Sequence, residues 1–215
     1  MYEVIIFDLD GTLLDTLADL HASVNYALEK FSFPKRSQEE VRSFVGNGIA
    51  MLVKRAIGKP TPLFEEVLQA FKTHYAAHCA DKTQPYQGIL PLLEKLKGQG
   101  VKTAVVSNKA DFAVKKLAQE YFGGLLLEAV GEDEENGIRK KPAPDSLLSV
   151  MQKLGADQEK TVYVGDSEVD IQTAQNAGVD CISVAWGFKD KDFLIKNGAG
   201  ILIDTPDEIL KYCIQ

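Results

Sequence analysis

The sequence predicts an α/β protein, a doubly wound parallel sheet with an all-helical domain inserted near its start. Three observations carry that expectation. The apolar run Val4-Ile5-Ile6-Phe7 ends abruptly in Asp8-Leu9-Asp10-Gly11-Thr12-Leu13, which reads as a buried strand closing in an acidic turn. From residue 16 to about 80 every apolar pattern has helical spacing. From residue 86 onward strands and helices alternate, which implies right-handed βαβ crossovers and a mostly parallel sheet.

The elements follow in order. Leu17, Leu20, Val24, Ala27, Leu28 and Phe31 recur every three or four residues and form one face of a helix, which Phe33-Pro34 ends. Ser37 with Glu40 three residues later is a capping box opening a second helix. Gly46-Asn47-Gly48 interrupts it. Ile49, Leu52, Val53 and Ile57 define a third helix, ended by Gly58-Lys59-Pro60. Val67, Leu68, Phe71 and Tyr75 mark a fourth, over 63–78. These helices form a unit over 16–81, hinged near 14–16 and 80–86, and the core comprises 1–15 with 82–215. In the core, helices are expected at 91–97, 112–121, 144–154 and 169–176, the last closed by Gly178. Strands are expected at 101–106, 125–130, 161–164, 181–184 and 200–203. The stretch from Glu132 to Glu135 reads as a solvated acidic loop.

Bulk properties narrow the function. The chain of 215 residues is 45% hydrophobic and 26% charged, ordinary values for a globular protein. Twenty-four basic and 31 acidic side chains leave a net charge of −7, which argues against nucleic acid or an anionic membrane as partner. Cys79, Cys181 and Cys213 are odd in number and widely spaced, as in a reduced cytoplasmic protein without a disulfide framework or zinc site. No leader and no apolar stretch of membrane-spanning length is expected.

The chemistry concentrates at predicted strand ends. Alternation along a strand turns Asp8 and Asp10 to one side and Leu9 to the other. Two carboxylates about 4 Å apart repel by roughly 4 kcal/mol at an effective dielectric near 20, so a cation or a held proton must compensate. Ser107-Asn108 follows the strand at 101–106, Lys141-Pro142 precedes a helix, and Gly165-Asp166 with Asp170 follows the strand at 161–164. In a doubly wound sheet these C-terminal ends open on one side. Together the residues supply an acidic cage for a hard divalent cation, a hydroxyl and an ammonium, a set suited to a phosphoryl group. Singly, each has a plainer reading: Ser107-Asn108 as a helix cap, Lys141 as a solvated charge, Asp166 and Asp170 as helix N-terminal acids.

Asp8-x-Asp10-Gly11-Thr12-Leu13, Ser107-Asn108, Lys141-Pro142 and Gly165-Asp166-x-x-x-Asp170 together resemble the four-motif signature of the haloacid dehalogenase (HAD) superfamily. The insertion after the first motif is similar to the helical cap of its type I members. Gly46-Asn47-Gly48, Lys141-Pro142-Ala143-Pro144-Asp145 and Trp186-Gly187-Phe188 resemble bacterial phosphoglycolate phosphatases and their relatives. The resemblance implies a Mg²⁺-dependent phosphomonoester hydrolase acting on a small phosphorylated metabolite, as monomer or homodimer. Asp8 would be the nucleophile forming an aspartyl-phosphate. Asp10 would be the general acid and then base, an acid that dehalogenases lack. Mg²⁺ would be held by Asp8, Asp166 and the Asp10 carbonyl, with Asp170 behind or on the metal. Ser107, Asn108, Thr12 and Lys141 would hold phosphoryl oxygens, and Asn47 would reach the leaving group from the cap.

Other classes fit less well. A phospho-receiver domain is shorter and has no helical insertion. A dinucleotide-binding module needs glycines where this chain has acids. Phosphomutase, pyrophosphatase and nucleotidase activities remain open within the same superfamily.

Overall fold

The computed structural model describes residues 1–134 and 137–213. Its centre is a six-stranded parallel sheet in the order β5-β4-β1-β6-β7-β8. The strands are β1 (Val4–Phe7), β4 (Lys102–Ala110), β5 (Glu128–Glu132), β6 (Thr161–Gly165), β7 (Asp180–Val184) and β8 (Ile201–Ile203). The first strand lies in the middle, with Val4 opposite Lys102 on one side and Thr161 on the other. Both of its faces are covered. Ile5 and Phe7 join one core cluster, and Val4 and Ile6 join the other, which is why the run is apolar throughout and does not alternate.

Helices α5 (Ile89–Gly98) and α6 (Asp111–Phe122) lie on the Ile5–Phe7 face, and α7 (Asp145–Leu154) and α8 (Glu168–Ala177) on the other. Between β1 and β4 come α1 (Leu17–Lys30), α2 (Gln38–Phe44), α3 (Ile49–Ile57) and α4 (Phe64–His78). The Ser37–Glu40 capping box is present at α2, and Gly178 closes α8 at φ +70°. Gly46-Asn47-Gly48 separates α2 from α3.

The helical insertion leaves and rejoins the core through a short antiparallel ribbon, β2 (Leu14–Asp15) with β3 (Gln84–Pro85). Neither strand is legible as a two-residue pattern. Beside the ribbon, the buried Asp19 carboxylate accepts from the Lys82 and Thr83 N–H groups and the Thr83 hydroxyl at 2.8–3.1 Å. The start of α1 is therefore fastened to the segment by which the insertion returns to the core.

Some boundaries differ from expectation. β4 runs on to Ala110 with a break in its register after Val106. Residues 123–125 form a 3₁₀ turn, so β5 starts at Glu128. Short α9 (Lys191–Lys196) and a 3₁₀ helix (Pro206–Tyr212) lack enough periodic residues to declare themselves. The acidic loop expected from Glu132 to Glu135 is corrected in its first residue. Glu132 ends β5 half-buried against the Gly48 turn, and burial raises its carboxyl pKa. Glu135 lies outside the described residues. Among the described residues no helix is long and apolar enough to cross a membrane.

Candidate active site

The C-terminal ends of β1, β4 and β6 meet under the helical insertion. Asp8, Asp10, Ser107, Asn108 and Asp166, all expected from sequence, line one cavity of about 50 Å³ there. The insertion supplies the opposite wall, mainly Leu20, Val45, Ile49, Leu52 and Tyr75. Lys109, Ser167 and Lys189 also line it.

Asp8 is 8% exposed. Its Oδ1 accepts from the Leu9 N–H at 2.7 Å and lies 2.9 Å from the Lys141 ammonium. Burial raises its carboxyl pKa to about 6 against the opposing pull of Lys141. Asp10 faces the same cavity, and its Oδ1 accepts from the Thr16 hydroxyl at 2.6 Å and the Lys109 ammonium at 2.8 Å. Neither partner stands in a motif read from sequence. A strand extended by two residues places Lys109 on the same face as Ser107, and that alternation is the one signal that points to it.

Asp166 is 2% exposed and accepts the Phe188 N–H at 2.6 Å. Burial, with Asp170 and Asp8 nearby, holds its carboxyl well above the usual carboxylate range. The loop carrying Phe188 lies tightly on this carboxylate: a Cβ on Gly187 would collide with the Asp166 side chain. Arg42 of α2 donates to the Gly187 and Phe188 carbonyls at 2.7 and 2.9 Å, so the helical insertion grips the loop that orients Asp166.

Lys141 lies behind the cavity wall, 4% exposed. Its three N–H bonds go to Asp8, to Asp170 at 2.7 Å and to the Tyr163 hydroxyl at 2.9 Å. Asp170 is fully buried, and its second oxygen accepts from the Ser167 N–H and hydroxyl. Asn108 is equally committed. Its amide donates to the Gly46 and Lys141 carbonyls and accepts the Lys141 N–H, tying the Gly46 turn to the core. Ser107 keeps its hydroxyl hydrogen free of any acceptor among the described residues, while Oγ accepts weakly from the Lys109 N–H at 3.4 Å. Thr12 is buried with no hydrogen bond to its hydroxyl among the described residues, and it does not line the cavity. Asn47 is half-buried between Gly46 and Gly48, both of which line the cavity while Asn47 does not.

The charges do not cancel. Asp8, Asp166 and Asp170 share one ammonium, Lys141, and Asp10 has another, Lys109, so four carboxylates face two ammonium groups. One oxygen from each of Asp8, Asp166 and Asp170 lies within 4.8 Å of the others. A hard divalent cation suits this donor set in ligand type and charge; Asp8 and Asp166 could hold it, and Asp170 is bonded to Lys141 and Ser167.

A parallel sheet with Asp8 and Asp10 at the end of its central strand, under a helical insertion, places the protein among hydrolases of α/β architecture. The family model of the haloacid dehalogenase-like hydrolases matches residues 5–184, and the chain belongs to that family. It is 34% identical to a phosphoglycolate phosphatase of Pseudomonas putida, over 98% of this chain and 79% of the relative. It is 33% identical to a phosphoglycolate phosphatase of Aquifex aeolicus, over 97% and 95%. A crystal structure of a candidate phosphoglycolate phosphatase from Lactobacillus delbrueckii subsp. bulgaricus matches with a TM-score of 0.93 and 40% identity, covering 98% of each chain.

Proposed function

We propose that this phosphatase hydrolyses 2-phosphoglycolate or a closely similar small phosphate ester with Mg²⁺, through an aspartyl-phosphate on Asp8. The observation that carries the reading is that Asp8 and Asp10 face one cavity under the helical insertion, Asp8 beside Lys141 and Asp10 beside Lys109. The names of the relatives point to the same substrate.

Asp8 Oδ2 attacks phosphorus while the bond to the ester oxygen breaks. Asp10, held by Thr16 and Lys109, gives its proton to the departing alcohol. It then takes a proton from the water that cleaves the acyl phosphate on Asp8. Lys141 keeps Asp8 ionised, and Ser107 donates to a phosphoryl oxygen. When bound to Asp8, Asp166 and the Asp10 carbonyl, Mg²⁺ supplies positive charge that lets an anionic ester approach a carboxylate. Residues 16–81 act as a cap that excludes water and opens for exchange of ligands, while 1–15 and 82–215 form the core. The unpaired cysteines suit a reducing cytoplasmic compartment.

Asp8→Asn is the test. It should lower phosphate release from 2-phosphoglycolate by at least about 10³-fold with the circular dichroism spectrum unchanged. Substantial residual turnover would remove Asp8 as nucleophile.

A further inference from the structure

The cavity holds an ammonium only partly engaged by Asp10 and a hydroxyl that the reaction at Asp8 does not use. Lys109 is 4% exposed and spends one N–H on Asp10. Its ammonium lies 4.7 Å from the centre of the Tyr75 ring. Tyr75, on α4 of the insertion, is fully buried, yet its hydroxyl has no hydrogen-bond partner among the described residues. A buried polar group left unpaired is unfavourable, and here it borders a cavity and a cation.

Position decides what these groups face. Lys109 touches the oxygen of Asp10, the group that protonates the leaving alcohol. Whatever is attached to that alcohol's carbon therefore lies next to Lys109 and Tyr75. The remaining insertion wall, Leu20, Val45, Ile49 and Leu52, offers no competing side-chain donor. We infer that Lys109 and Tyr75 form a subsite for a carboxylate borne by the leaving alcohol. The ammonium meets its charge and the tyrosine hydroxyl donates to one of its oxygens. One partner comes from β4 of the core and the other from α4, so the subsite is complete only when the insertion lies over the core. This rests on the phosphatase reading and deepens it: the enzyme selects phosphorylated hydroxy acids over neutral esters of the same size.

The experiment compares 2-phosphoglycolate with 2-hydroxyethyl phosphate, a neutral-tailed ester of similar size and leaving-group basicity, with Mg²⁺ saturating. The wild type should favour the acidic ester in kcat/KM by about tenfold or more, the range expected for hydrogen bonds to a charged group. Tyr75→Phe and Lys109→Met should each shrink that ratio, chiefly through KM for the acidic ester. Tyr75→Phe removes a hydroxyl that meets no hydrogen-bond partner among the described residues, so it keeps the test open if Lys109→Met fails to fold. Loss through Asp10 alone would lower both esters by one factor and leave the ratio intact, which overturns the subsite. An equal fall in the ratio with Lys189→Met, at the same cavity but away from Asp10, would also overturn it, by showing a diffuse field. A wild type that hydrolyses both esters equally well overturns the subsite while the phosphatase reading stands. If neither ester is hydrolysed, both readings fall.

Discussion

Gly11 has φ +82°, and a Cβ there would enter the Asp166 carboxylate. Gly11→Ala should therefore lower stability by about 1–2 kcal/mol from the left-handed backbone alone. It should also weaken Mg²⁺ binding, read by calorimetry, because the collision falls on a proposed ligand. Unchanged metal affinity would show that Asp166 does not hold the ion. At this scale the acids are the legible part. Asp8, Asp10, Asp166 and Asp170 announce themselves because carboxylates gathered at strand ends repel one another and so demand a cation. Lys109, Thr16, Tyr163 and Tyr75 do not. Each looks like an ordinary helix or strand residue, and its role arises only where distant segments meet. Residues expected to bind phosphate divide for the same reason. Ser107 retains a free donor, whereas the Asn108 amide and the Lys141 ammonium are spent on other partners, which no spacing rule could reveal.

Among the elements, the β2–β3 ribbon and Asp19 define how the helical insertion joins the sheet. Asp19→Ala leaves the Lys82 and Thr83 N–H groups without their acceptor, the second of them buried, while the Thr83 hydroxyl keeps only the Cys79 carbonyl. The expected loss is about 3 kcal/mol. Hydrogen exchange at Lys82 and Thr83 should accelerate beyond what global destabilisation accounts for. Exchange that follows global unfolding alone would show that the linkers are fixed by other contacts. Helix assignments from periodicity and capping hold well here, since α1, α3 and α4 carry apolar stripes and α2 has its capping box. Two-residue strands and α9 are too short to impose a period. β4 outruns its apolar pattern because its polar residues Ser107 to Lys109 serve the cavity while the backbone stays extended.

For the whole molecule, charge governs behaviour with pH. Folding raises the Asp8 carboxyl to about 6 and Asp166 well above its ordinary range. A group whose pKa rises on folding stabilises the native state only while protonated, and that contribution is lost as pH climbs through the folded value. In EDTA the melting temperature should fall as pH rises from about 4, the ordinary carboxyl value, to about 6. Added Mg²⁺ should raise it by an amount that grows over the same window, as the ligands ionise. Thermal unfolding at several pH values with and without the ion checks this. A metal-induced shift that is flat with pH would mean that these carboxylates are not its ligands. The sheet order has a separate, kinetic consequence. β1 is made first, but its neighbours begin at Lys102 and Thr161, so the strand bearing Asp8 waits for most of the chain. Loop closure over such separations is slow, while α1 to α4 depend on local contacts. A nascent chain arrested before residue 102 should protect amides of the helices from exchange but leave those of Ile5 to Phe7 open, and the enzyme should acquire activity only after β6 has emerged from the ribosome.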